Sequence, residues 1–157
     1  MNKSIKTALA TMAVAGTALI AVNGVSAHDG ATGVVKERMD AMKAMGGAMK
    51  QIAAMMKGQS PFDAMTASQA GMTINEKSAG LIKLFPKGSG DASSYAKPEV
   101  WSKWDEFGAG AKALTAASTK LADAEMDASK NDVMALFAGV GKTCKGCHET
   151  FRRPKEK

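Results

Sequence analysis

GVVKERMDAMKAMGGAMKQIAAMMKG, residues 33–58, decides the fold class. Val35, Met42, Met49 and Met56 recur every seven residues, and Met39, Met45 and Ile52 fill the turns between them. Apolar residues at that spacing share one face of a helix, whereas a half-buried strand would alternate. Gly58 stands just past the last periodic residue, where helices commonly stop. The spacing predicts an amphipathic helix of about 24 residues. Gly46 and Gly47 interrupt it, each at a cost of about 1 kcal/mol against Ala. A flat ring or another helix approaching the backbone closely would offset that cost; a simple kink is the other reading.

Three more periodic segments follow. The second is expected to open at Ser60 as N-cap with Pro61 in the first helical position, and to run to about Phe85. Its period is the weakest. Pro86 ends it, and PKGSGDASSYAK (86–97) reads as a Gly/Ser-rich loop. The third opens near Pro98 with the stripe Val100, Trp104, Phe107, Ala111, Leu114, Ser118 and Leu121; Trp101 and Trp104 are expected to line the core. The fourth starts around Asn131 as N-cap and carries Val133, Phe137, Val140, Cys144, Cys147, His148 and Phe151 on one face. No run of alternating β-branched residues occurs, so the class is all-α. Short connections favour antiparallel neighbours, which points to an antiparallel up-down four-helix bundle. With 12 methionines and only 5% aromatic residues, such a bundle needs either very good packing or something large at its centre.

TCKGCHETFRR, residues 143–153, holds the chain's two cysteines and one of its two histidines. Cys144, Cys147 and His148 stand at i, i+3 and i+4, offsets that share a helix face. Cys-x-x-Cys-His is the attachment signal for c-type haem: two thioethers hold the vinyl groups, and His148 supplies the proximal axial ligand. The competing chemistries fit less well. Structural zinc needs four ligands, and the only other histidine is His28. A thioredoxin-type pair sits exposed at a helix N-terminus in a βαβ setting, and a plain disulfide leaves His148 unexplained. One covalently bound haem c is therefore the expected cofactor.

The chain begins MNKSIK and continues with an apolar run rich in Ala, Thr and Gly that closes at Val25-Ser26-Ala27. That is the pattern of a secretory signal peptide cleaved after Ala27, and the run is shorter and less apolar than a membrane span of about 20 residues. The expected organisation is a leader over 1–27 and a haem-bearing bundle over 28–157, exported to the periplasm. Losing Lys3 and Lys6 lowers the formal charge from +6 to +4. The basic residues are scattered among acidic ones, so no nucleic acid is expected as partner, and no membrane after cleavage.

A leader, four helices and a single CxxCH near the C-terminus resemble the class II c-type cytochromes, the cytochrome c′ and cytochrome c-556 group. The resemblance rests on Arg38-x-x-x-Met42 followed by Gly46-Gly47, on LFPKGS, on KPEVW and on CKGCHETFRR, in the family's order. It implies a monohaem protein that is a monomer or homodimer and exchanges electrons with redox partner proteins in the periplasm. It also places Met42 opposite His148. Where that position holds a bulky apolar residue, the cytochromes c′ resembled here are five-coordinate and bind nitric oxide or carbon monoxide. Where it holds Met, as in the c-556 branch, the thioether ligates. The expectation is thus a low-spin carrier of single electrons with Met42 as distal axial ligand, and a gas-binding five-coordinate form is the alternative. Plain core packing is the ordinary role of a Met in such a stripe. Three other residues are candidates beside the haem. Arg38, one turn before Met42, could pair with a propionate. Phe151 could pack on the ring or on the imidazole. Arg152 matches the family's basic residue near the proximal ligand. No set of general acids and bases gathers at the motif, so no enzyme is expected.

Overall fold

The computed structural model describes residues 30–154. The expected leader and its cleavage point, like His28, lie outside the described residues. Four long helices form the bundle: α1 (Gly33–Met56), α2 (Ala64–Ala79), α4 (Trp104–Ala122) and α5 (Lys130–Phe151). A single-turn helix, α3 (Glu99–Ser102), precedes α4, and a 3-10 segment, Leu81–Leu84, follows α2. Side-chain bonds show the antiparallel register of α2 and α4. Ser68 Oγ donates to the Ala122 carbonyl at 2.5 Å, and Asn75 Nδ2 donates to Thr119 Oγ1 at 2.7 Å. The α4–α5 pair is antiparallel as well, with Phe107 against Phe151 at 5.4 Å between ring centroids.

Helix boundaries differ from the periodic reading where capping chemistry is stronger than pattern. Asp63, not Ser60, caps α2: its carboxylate accepts from the Thr66 amide at 2.8 Å, satisfying an amide that has no partner within the helix. Ser129, not Asn131, caps α5 by accepting from the Asp132 amide at 3.2 Å. The third segment breaks at Lys103 (φ −118°, ψ 49°), and the break turns Trp104 out of the core to 40% exposure. Trp101 stays in, with its indole N–H donating to the Phe85 and Pro86 carbonyls at 3.2 and 3.0 Å.

The innermost seam of α1 is Arg38, Ala41, Met45, Ala48, Ile52 and Met55. Met42, Met49 and Met56 lie beside it, partly buried and packed against the core. The methionine-rich stripe is wide enough to hold two adjacent seams. The one turned inward carries Ala41 and Ala48, whose small side chains let neighbouring helices approach.

Two tests of this packing follow. An added Cβ on Gly71 would lie 2.6 Å from the Ala122 nitrogen and 2.7 Å from the Leu121 carbonyl carbon, both of them backbone atoms. Gly71→Ala should therefore lower stability by about 1–3 kcal/mol or more, read as a shifted denaturation midpoint, because neither backbone can yield without moving a helix. The second test is acid titration. The Thr66 hydroxyl and amide hold the Asp63 carboxyl below its ordinary value. Its folded value is depressed, so its stabilisation is present above the unfolded value of about 3.9 and fades as pH falls through the folded value. Asp63→Ala should melt at lower temperature than the unmutated chain at neutral pH, and the gap should close on acidification.

Candidate haem-binding site

Helix α5 runs unbroken through the motif. Cys144 and Cys147 are free, partly buried thiols packed against the core. Burial pushes both above the ordinary thiol value, and the neighbouring Cys144 pushes Cys147 further. They are neutral thiols at neutral pH, unlike the low-pKa thiolate of a redox-active pair. Helix α4 passes beside them at Gly110, where an added Cβ would sit 4.0 Å from Cys147 Sγ.

His148 lies at the exposed rim of the helix. Partial desolvation and then the nearby Arg152 push its imidazole below the usual histidine value, which favours the neutral, metal-ligating form. Arg152 stacks its guanidinium over Tyr95 at 5.2 Å, while its backbone N–H donates to the His148 carbonyl at 3.2 Å. Phe151 is buried among aromatic rings. Phe107 is edge-on to it, and Phe85 follows 4.8 Å from Phe107.

The level of Met42 along the bundle follows from helix register. Met49 Cε lies 3.8 Å from the position of an added Cβ on Gly141, so α1 meets α5 at that level. The two helices run antiparallel, with Arg38 and Phe151 at the same end of the bundle. Seven residues back along α1 and seven forward along α5 are equal rises. That count brings Met42 level with His148.

Arg38 is only 2% exposed, which hydropathy alone would not suggest. Its guanidinium donates to the Ser89 carbonyl at 2.8 Å and to Ser89 Oγ at 3.1 Å, and lies over Phe85 at 5.0 Å and Trp101 at 5.8 Å. Desolvation lowers its pKa, and Asp91 opposes that. Its Nε is buried without an acceptor. A buried cationic donor without a partner fits an anionic group such as a haem carboxylate. Together with two inward thiols and a neutral imidazole on one helix end, the residues present fit a covalently held haem. No neighbouring helix comes close to Gly46 or Gly47: both are exposed, and an added Cβ on either would meet no protein atom within 4 Å.

Sequence reasoning did not find Ser89, Tyr95 or Arg153. Ser89 holds Arg38, and the backbone around Tyr95 pairs with the chain just past Phe151. One local signal was available in Asp91-x-Ser93, where the carboxylate accepts from the Ser93 amide at 2.8 Å, a turn-forming bond.

The chain is similar to known proteins along most of its length. The family model described as Cytochrome C' matches residues 33–152. The chain is 42% identical over 119 residues to a cytochrome c' of Pararhodospirillum photometricum, covering 75% of this chain and 94% of that one. It is 36% identical over 123 residues to a cytochrome c-556 of Agrobacterium tumefaciens, covering 78% of this chain and 99% of that one. Among solved structures, the nitric oxide complex of a point mutant of cytochrome c prime from Alcaligenes xylosoxidans superposes with a TM-score of 0.69. It shares 29% identity and covers 78% of this chain and 94% of that chain.

Proposed function

The chain belongs to the cytochrome c′ family, whose members carry a single covalently attached c-type haem, and from that premise we propose that it is an exported haem protein binding nitric oxide or carbon monoxide opposite His148. In this reading the haem would supply an iron able to bind a small gas. Cys144 and Cys147 would tether it through thioethers, and His148 would ligate the iron. Arg38, whose Nε is buried without an acceptor, would hold a haem carboxylate. Arg152 lies beside the imidazole and helps keep it neutral before the iron is bound. Met42, partly buried against the core, would serve as an apolar screen beside the iron. The observation that carries this reading is the family match across the bundle, supported by the 42% relative named cytochrome c' and by the nitric oxide complex of a structural neighbour. Among the described residues no helix is long and apolar enough to cross a membrane.

A second reading has its own observation. The helix count that sets Met42 level with His148, together with the relative named cytochrome c-556, favours a six-coordinate carrier of single electrons with Met42 as distal ligand. Absorption spectra of the oxidised and reduced protein, with and without carbon monoxide, separate the two. A high-spin protein whose reduced form takes up the gas supports the proposal. A low-spin protein that refuses the gas overturns it in favour of the carrier.

A further inference from the structure

The loop between the 3-10 segment and α3 is fastened at both ends, to different helices. On the α1 side, Arg38 grips Ser89 through both the carbonyl and the hydroxyl, and Asp91 interacts electrostatically with Arg38. On the α5 side, the loop pairs with the chain that follows the haem-attachment motif. Lys97 N–H donates to the Phe151 carbonyl at 2.9 Å, Arg153 N–H donates to the Tyr95 carbonyl at 2.7 Å, and Ala96 and Arg152 form an antiparallel bridge. The Arg153 guanidinium clamps this pairing by donating to the Ala92 carbonyl at 3.1 Å and to the Ser94 carbonyl. Ser94 is buried beneath it.

Helix α1 packs mainly on α2 and touches α5 sparsely. The strap over 89–97 is thus a continuous segment hydrogen-bonded at one end to α1 and at the other to the end of α5. Arg38 stands one turn from Met42, and Arg153 stands five residues after His148. We propose that Arg153 is a positioning residue: through this strap it sets how far α1 stands from α5, and hence how closely residue 42 covers the iron. The inference rests on the placing of the haem by Cys144, Cys147 and His148 given above.

Both bonds come from the one Nη2 group, whose two N–H donors are fixed in the guanidinium plane, a direction that the freely rotating ammonium of Lys does not hold. Losing a charge-assisted bond of this kind should raise local opening of the strap by about ten-fold or more. The experiment is hydrogen exchange on the haem-loaded protein, comparing the unmutated chain with Arg153→Ala and Arg153→Lys. Expected are faster exchange of the Lys97 and Arg153-site amides and of α1 amides around Arg38–Met45, no change in α2, and a partial return with Lys. The ferric absorption spectrum should shift in the same order, since cover over the iron changes with it. A loosened strap with unchanged α1 amides and an unchanged spectrum overturns the proposal. So does a strap whose exchange ignores Arg153. If Arg153→Ala does not fold, the comparison of Arg153→Lys with the unmutated chain is read by the same two criteria. Failure of the unmutated protein to take up carbon monoxide would sink the gas-binding reading alone. The exchange and spectral result would still decide the role of Arg153.

Discussion

Replacing both Cys144 and Cys147 with Ala should abolish covalent haem altogether. The unmutated protein should keep its colour on the polypeptide through acid-acetone extraction, because two carbon–sulfur bonds survive conditions that strip a ligand held only by iron coordination. Either single substitution leaves one thioether and should keep part of the colour attached. Both side chains are partly buried and small, so Ala in their place costs little packing. Any large loss of order in the double variant then reports the missing haem. Binding free energy belongs to the folded state alone, so the colourless variant should also melt at lower temperature and with less cooperativity. Complete release of haem from the unmutated protein would overturn the attachment at these two residues.

The second large effect concerns Met42. In the gas-binding reading its side chain only screens the iron, so Met42→Leu should leave spin state and carbon monoxide affinity within about ten-fold. The swap keeps volume and apolar character and should cost under about 1.5 kcal/mol of stability. In the carrier reading the thioether occupies the iron nearly all the time. Apparent affinity is reduced by the fraction of protein with the position open, so 99% occupancy hides affinity about 100-fold. Met42→Leu would then turn a low-spin protein high-spin, raise gas affinity by about that factor, and lower the potential, since Met/His ligation raises it. Spectra and gas titration of the two proteins side by side leave no overlap between these outcomes.

Helix existence was legible because it is written in local periodicity and in breakers. The methionine stripe of α1, Pro86, and the stripe from Phe107 to Leu121 each needed only neighbouring residues to be read. The haem motif was legible for the same reason, since its three groups share one helix face by spacing alone. Boundaries were less so: Asp63 and Ser129 displaced Ser60 and Asn131 as caps because their side chains reach the right amide, a matter of local geometry rather than of residue type. The rotational setting of α1 was not legible at all. Two seams were available in its sequence, and packing in the bundle turned inward the one that carries Arg38, which sits against Ser89, Phe85 and Trp101.

By itself, then, the sequence determined the all-α class, the motif Cys144-Lys145-Gly146-Cys147-His148 and the residue types available to face it, because these depend on chemistry within a few residues. Only the tertiary structure decided that Trp104 points outward and that Arg38 is buried with Nε unpartnered. It alone brought Ser89 and Arg153 to opposite ends of one strap. Those relations join residues tens of positions apart. They are fixed by helix packing and by hydrogen bonds that close only when the bundle does, and no pattern along the chain encodes them.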